Sequence, residues 1–523
     1  MTMNRYKTLP IQAILWLVLV STAASGLRAQ EQFTLQQCRE MALKNNKKIA
    51  IARENRNALG SLEKSAKTLF FPKIQFNGGY FRMNKQLSLF SKNMFLPVVP
   101  SDVYQNGLSS LDPQSNPELV RETFVTQDFN GVPVPMEDAK TGDPLFDRYA
   151  LLPKDEAKLD LQNIFFGSVG VTQPIYMGGK IRHTHDMAKH GEQMMEARTK
   201  ISEAEVLLET DKHYWKVISL KEKVTLARDY LKRIDTLLTD VRNLHQEGII
   251  TNNKVMRVKV KKNQIELELM KAKNGLQLAR MALNQNIGLP LDTVVHLADS
   301  LGDITRLTDP HNYRNQAMES RPELKALEQG VEITRSGKKL MKSRYLPNIG
   351  LTANYIMSNP NPWNGFESEF GGDITLGVAL NIPIYNWGER KHTIQAVEHK
   401  KRASLKKLEQ SRELISLEVK KTIFSYNEAV KKVEMTRRSL EQAKENLQMT
   451  RDNFDEGMVK SADVLEAQSM WQEAYSEYID AATDYRIQQA KLLKASGRLL
   501  DQVKNQQQTR KASFQKSLSS QKQ

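Results

Sequence analysis

The stretch "TQPIYMGGKIR", Thr172 to Arg182, returns 209 residues later as "NIPIYNWGERK", Asn381 to Lys391. Each begins as the end of a strand and finishes as the start of a helix, so the chain makes one turn twice and should be two like halves. The offset aligns Pro174 with Pro383, Ile175 with Ile384, Tyr176 with Tyr385 and Gly179 with Gly388. Unbroken, it also pairs "QEGIITNNKV" with "DEGMVKSADV", so that Glu247 meets Glu456, Gly248 meets Gly457 and Val255 meets Val464. Upstream the offset becomes 275 and aligns Lys67 with Lys342, Pro72 with Pro347, Ile74 with Ile349 and Tyr80 with Tyr355. Ala42 meets Ala317 in the helices that lead in. The offsets differ by 66, which places an insertion in the first copy at about residues 84–160. That insertion holds eight of the 18 prolines and an excess of acids, and reads as a long, mostly irregular loop.

Within each copy the apolar period switches. Ile349, Leu351, Ala353 and Tyr355 alternate with Gly350, Thr352 and Asn354, and Ile374, Leu376, Val378, Leu380 and Ile382 alternate with small or polar residues. These are strands with one apolar face. Ile74, Phe76 and Tyr80, then Phe165, Val169 and Val171, repeat the pattern in the first copy. After each junction the period becomes helical. Leu405, Leu408, Ile415, Val419, Ile423, Tyr426, Val430 and Val433, then Leu440, Leu447 and Phe454, form a coiled-coil seam. No glycine separates Gly388 from Gly457, so a helix from about Glu389 to Phe454 would run roughly 100 Å. Gly457 should end it, and Ser461 can cap a return helix to about Leu500. The first copy should do the same from Ile181 through Gly248 to about Ile287.

The amino terminus has the layout of a secretory signal peptide: Arg5 and Lys7, an apolar run from Ile11 to Val20, then small residues with cleavage expected after Ala29. The expected organisation is a signal peptide at 1–29, repeat one at 30–312, repeat two at 313–500 and a polar tail at 501–523. No later segment has the continuous apolar length of a spanning helix, about 18 residues. Cys38 is the only cysteine, which excludes an intrachain disulfide. The preceding "TLQQ" argues against lipidation, leaving a half-buried thiol. The formal charge is +16, lowered by three when Arg5, Lys7 and Arg28 leave with the signal peptide. The bases are spread along helices among glutamates, which points to solvated helix faces and not to a nucleic-acid partner.

Four strands cannot close a membrane barrel, whose smallest outer-membrane form has about eight. The chain should therefore oligomerise, each subunit giving four strands and two long helical hairpins.

In these features the chain resembles the TolC-like outer-membrane efflux family. The resemblance rests on "TLQQCREMALKNN", on the strand entries "FFPKI" and "YLPNI", on both "PIY" exits, and on the turns "LHQEGIITNNKV" and "FDEGMVKSADVLEA". It runs from about Phe33 to Leu500. It implies an α+β membrane protein: a homotrimer with a 12-stranded outer-membrane β-barrel continued by a 12-helix periplasmic coiled-coil tunnel. An equatorial region would draw on the linker from Gly288 to Tyr313. It further implies a passive exit duct that receives cargo from an inner-membrane transporter through a periplasmic adaptor (membrane fusion) protein. The barrel would meet outer-membrane lipid, and neither cofactor nor nucleic acid is expected.

Two sets of working residues follow from the resemblance. Gly248, Ile249 and Ile250, with Gly457, Met458 and Val459, would be the tips on which the adaptor docks. Asp463 and Glu466 would form a periplasmic gate, each repeated threefold as a ring of carboxylates that selects cations. Lys254 stands opposite Asp463 in the first copy, so only the second copy can supply that ring. Val459 stands where some members carry a basic latch residue. The bland readings are helix-ending glycines and first-turn acids drawn by the helix dipole.

Enzyme chemistry has little support. "MGGK" lacks the first glycine of a phosphate loop and the serine or threonine after its lysine. His183 and His185, two apart on a helix, face different ways, and with His190 make a poor metal set. The competing readings are a periplasmic coiled-coil scaffold without a barrel, whose strands would pack on both faces, and a metal-binding enzyme resting on these histidines.

Overall fold

The structure is a computed structural model that describes residues 32–85, 87–92, 94–97, 126–127, 133–134, 149–152, 154, 158–159, 161–302, 312–506 and 508. The expected signal peptide, most of the 84–160 insertion and the tail from 509 lie outside the described residues. The chain forms two compact units, each drawing on both halves of the sequence. One comprises residues 68–181 and 343–387, and the other residues 1–67, 182–342 and 388–523.

The first unit is built on four strands: β1 (Lys73–Arg82), β2 (Asn163–Tyr176), β3 (Asn348–Asn359) and β4 (Gly371–Asn381). They lie in the order β4-β3-β2-β1, every pair antiparallel. Register carries the sequence alternation across the whole sheet. One row joins Phe76, Val169, Tyr355 and Ile374, and the next on the same face joins Ile74, Val171, Ala353 and Leu376. The opposite face stacks Gln75, Gly170, Asn354 and Thr375. The apolar face is uncovered: Phe76 is 71% exposed and Leu376 76%. Leaving such side chains in water forgoes about 1.5–3 kcal/mol each. Aromatic residues cluster at both ends of the sheet. Tyr80 and Phe165 lie 4.7 Å apart at one end, and Tyr385 meets Trp387 edge-on at 5.0 Å at the other.

The insertion, expected to be mostly irregular, contains three short ladders among its described residues. Leu87–Ser88 pairs with Lys158–Leu159, Met94–Pro97 with Tyr149–Leu152, and Thr126–Gln127 with Pro133–Val134. These ladders are nested and antiparallel, and two of them include a proline, Pro97 and Pro133.

The second unit is helical. Its elements are α1 (Leu35–Asn45), α2 (Lys47–Lys67), α3 (Lys180–Gln246), α4 (Asn252–Ile287), α5 (Tyr313–Ser320), α6 (Pro322–Ser343), α7 (Glu389–Asp455) and α8 (Ser461–Ala495). Helices α3 and α7 are 67 residues each, about 100 Å long. Ion pairs show α1 and α2 running antiparallel beside the first half of α3: Glu63 with His185, Arg56 with Glu192, Arg39 with Asp211. In the same way α6 follows α7 through Lys338–Glu398, Glu328–Arg412 and Arg321–Glu418. The seam on α7 is buried at Ile415, Val419, Tyr426, Val430 and Val433, against Tyr313, Ala481 and Tyr485. Leu405, expected in that seam, is exposed. A second core joins Tyr230, Ile234 and Val241 of α3 to Val464, Trp471 and Ile479 of α8.

Two ends differ from expectation. α8 stops at Ala495, not near Leu500, because Gly497 takes a left-handed turn at φ 79°. The chain beyond it is not simply a polar tail, since Leu499 and Val503 are buried against Leu207 and Leu493. Among the described residues no helix is long and apolar enough to cross a membrane.

Candidate functional site

The two hairpin turns have one construction. Gly248 and Gly457 adopt φ 79° and 78°, which only glycine takes without strain. Each N–H bonds three residues back, to His245 and Phe454. The next N–H reaches five back: Ile249 to the Leu244 carbonyl at 2.9 Å, Met458 to the Asn453 carbonyl at 2.8 Å. This is the Schellman closure of a helix end. A Cβ on either glycine would meet nothing within 4 Å, so both turns present open backbone. Ile249 and Met458 are 64% and 70% exposed, while Ile250 and Val459 are half-buried. Each tip is thus one projecting apolar side chain beside a bare glycine, the combination suited to close helix packing. The first turn is further held by a 2.9 Å hydrogen bond between His245 Nδ1 and the Ile250 carbonyl.

The return helix after the second tip is capped differently from expectation. Lys460, not Ser461, is the residue preceding the helix, and its N–H donates to Asp463 Oδ2 at 2.8 Å. Asp463 therefore does the capping work of a first-turn acid. Val464, Leu465, Ala467, Gln468 and Trp471 are buried, which turns Asp463 and Glu466 outward on the opposite face. They head a longer row: Glu473, Glu477 and Asp480 follow at helical spacing, all exposed, interrupted by Met470. Opposite these acids α4 carries Lys254, Arg257, Gln264, Glu268 and Lys271, so the charge inverts at the first two positions and at the last.

Tertiary structure adds an ion pair that no sequence pattern signals. Arg451, one turn before the second tip, meets Asp240 of α3 at 2.6 Å and Asp455 at 3.1 Å. It ties the outgoing helices of the two hairpins together just above the tips.

The structure also contains a duplicated joint. α4 ends at Gly288 and α8 at Gly497, both left-handed and 209 residues apart. Each end meets the break between two short helices, at Asn46 and at Arg321, which are 275 residues apart. Asn46 Nδ2 donates to the Asn286 carbonyl at 2.8 Å, and Arg321 to the equivalent Ala495 carbonyl at 3.1 Å. Beside the first joint Arg39 and Asp211 form a buried bidentate pair at 2.7 and 2.6 Å. Tyr214 donates to Asp299 at 2.6 Å, which fastens the linker to α3. A polar cavity of about 650 Å³ opens here between Arg39, Asp211, Asp299, Arg486 and Gln502.

The histidines do not converge. His185 pairs with Glu63 and His190 with Gln329, and no cluster of metal-ligating residues occurs among the described residues. Cys38 is fully buried instead of half-buried. Burial, with Asp299 and Asp211 nearby, pushes its thiol up to about 12.

Comparison with known proteins follows this architecture. Residues 161–289 and 313–498 match the outer membrane efflux protein family. The outer membrane protein TolC of Vibrio cholerae is 22% identical over 301 residues, 57% of this chain and 68% of that protein. The probable outer membrane lipoprotein SilC of Salmonella typhimurium is 22% identical over 53% of this chain and 60% of its own length. The crystal structure of the outer membrane protein VceC from Vibrio cholerae shares the fold, with a TM-score of 0.65 at 13% identity. That match covers 88% of this chain and 96% of VceC.

Proposed function

The chain belongs to the outer membrane efflux protein family, and from that premise we propose that it is the passive outer-membrane exit duct of a tripartite efflux or type I secretion system. The observation that carries this reading is the four-stranded sheet. Its β1 and β4 edges pair with no further strand among the described residues, and one face is apolar and uncovered. An unpaired edge in hydrocarbon is prohibitively unfavourable, so the sheet must close. An even, all-antiparallel set tiles head to tail: β1 of one copy can pair with β4 of the next. Three copies give 12 strands, with the apolar face toward lipid and the Gln75–Asn354 face toward the lumen. Exposed Leu414, Leu417, Phe424 and Met435 on α7, and Val260, Leu267 and Leu278 on α4, supply further apolar seams between copies. Twelve helices then form the periplasmic tunnel.

In this assembly the tips at Gly248, Ile249 and Ile250, and at Gly457, Met458 and Val459, take the helical hairpins of a periplasmic adaptor. That adaptor couples the duct to an inner-membrane transporter. Asp463 and Glu466 each become a ring of three carboxylates whose mutual repulsion and negative field favour cations. The Arg451–Asp240 pair holds the resting gate. The domain limits of the reading are repeat one at 30–312 and repeat two at 313–500.

The test is the detergent-corrected mass of the mature protein extracted from isolated outer membranes. A trimer is expected. A monomer or dimer recovered from the periplasm without detergent would end the duct reading in favour of a scaffold. Photocrosslinking from Met458 in cells should capture a periplasmic adaptor, and capture of none would remove the tip assignment.

A further inference from the structure

Sequence order alone suggests bases scattered among glutamates, but chain connectivity ties a set of them to the strand ends. All four strand ends that lead to helices lie at one edge of the sheet, since Asn348 pairs with Asn381 and Ile349 with Tyr176, and Lys73 with Thr172. Lys64, Lys67, Lys339, Lys342, Arg182 and Lys391 lie six to ten residues from those strand ends. Chain connectivity keeps each within about 20–35 Å of the edge at full extension. All six are exposed. None has an ion-pair partner among the described residues, whereas their neighbours Arg56, Lys338 and Lys401 do. Residues 64–73, 177–185, 335–348 and 384–397 contain a single acid, Glu389.

Two features separate this set from ordinary surface charge. First, it is duplicated: Lys64 matches Lys339, Lys67 matches Lys342, and Arg182 matches Lys391 at the two repeat offsets. Second, Arg182 and Lys391 occupy the first turns of α3 and α7, where the helix dipole repels cations. The four lysines at the ends of α2 and α6 suit their dipoles; these two do not, and local helix stability cannot be their reason. The same edge carries exposed Phe71, Tyr176, Tyr385 and Trp387, aromatic residues of the type that settles at headgroup level.

We infer that these six bases form a collar that binds anionic phospholipid headgroups of the membrane leaflet adjoining the helices. The inference rests on the reading of the chain as an outer-membrane duct, and it adds the headgroup chemistry and the residues that recognise it. Repetition in three copies makes a ring of alternating, near-equivalent basic sites around the base of the barrel. Phosphate is held by point charges on flexible stems, so the collar selects charge and not one headgroup.

The experiment is native mass spectrometry of the mature protein purified from outer membranes, titrated with phosphatidylglycerol or phosphatidylcholine. It is repeated on a variant carrying Lys64→Gln, Lys67→Gln, Arg182→Gln, Lys339→Gln, Lys342→Gln and Lys391→Gln. Each base near an anionic surface contributes roughly fivefold in affinity. The wild type should therefore retain phosphatidylglycerol over phosphatidylcholine by more than about tenfold, with the preference abolished in the variant and by high salt. Thermal unfolding of the helices should be unchanged or slightly later in the variant, because two unfavourable first-turn charges are gone. Equal retention of both lipids, an unaltered preference in the variant, or an earlier melt that accounts for the loss would overturn the inference. Binding of the wild type to isolated cell-wall sacculi in place of lipid would overturn it in favour of an acidic wall polymer. An outer-membrane trimer indifferent to headgroup charge removes the collar alone, whereas a protein absent from the outer membrane removes the duct reading beneath it.

Discussion

At the first joint a neutral amide, Asn46, bonds the Asn286 carbonyl, and Asn286 Nδ2 donates in turn to Thr210 Oγ1 at 2.7 Å, all of it buried. At the second, Arg321 bonds the matching Ala495 carbonyl and reaches Glu418 at 2.7 Å and Glu323 at 3.0 Å, both partly solvated. One backbone problem, a helix end abutting a helix break, thus has a neutral, dry answer and a charged, wetter one. The tips diverge likewise: Lys254 and Arg257 in one hairpin stand where Asp463 and Glu466 stand in the other. Duplication fixed the backbone and left the side chains free to specialise. Because the backbone conformation comes from glycines and apolar spacing, charge can invert without disturbing it.

The comparison breaks most visibly at Asp211. Asp211→Ala leaves Arg39 buried without its counter-ion and should cost about 3–5 kcal/mol, read from chemical unfolding followed by far-UV circular dichroism. Its counterpart in the second copy, Lys420, is exposed, and Lys420→Ala should stay within about 0.5 kcal/mol. Similar losses from both would mean that the joints are energetically alike.

The joint glycines should rank next. A Cβ on Gly288 collides with Asn45, while on Gly497 it lies 3.1 Å from the Ser320 Cβ. With the left-handed penalty common to both, Gly288→Ala should cost about 2–4 kcal/mol and Gly497→Ala about 1–2. Tip variants Gly248→Ala and Gly457→Ala carry that penalty with no collision, and should change stability by about 1 kcal/mol. Equal melting temperatures for the two joint variants would contradict the ranking.

The charge inversion at the tips is sharpened by planar-bilayer recordings. Asp463→Asn with Glu466→Gln should move the reversal potential toward that of an unselective pore. Lys254→Gln with Arg257→Gln should not reduce cation preference. A loss of cation preference from the second pair would place the selective ring on the wrong hairpin.

The smallest effect belongs to His213, beside the first joint and replaced by Thr422 in the second copy. Burial lowers its pKa below the usual 6.5, with Glu209 opposing and Lys212 adding to the shift. The unfolded chain then binds the proton more readily than the folded one. Stability from this group is present above pH 6.5 and lost as pH falls through the lowered value. His213→Gln should flatten that acid limb of the melting curve, and an unchanged limb would assign it to other groups.

Legibility divided along physical lines. Strand faces, long helices and both glycine tips were readable because each is set by residues within a turn or a pleat of one another, and because the duplication repeated each signal. The cap was misassigned to Ser461 because Asp463 bonds back to the Lys460 N–H, a geometry that any first-turn polar residue could mimic. The prolines of the insertion make it read as mostly irregular, and Pro97 and Pro133 nevertheless take part in short ladders.

The sequence by itself determined the repeat, the strand alternation, the hairpin lengths and the places where the chain turns, since these follow from local periodicity and from glycine's access to positive φ. Only the tertiary structure decided that Arg39 meets Asp211, that Arg451 meets Asp240, and that Asn46 and Arg321 serve equivalent carbonyls. Such partners lie far apart along the chain, and nothing in the spacing of their residues records which charge will face which once the helices are packed.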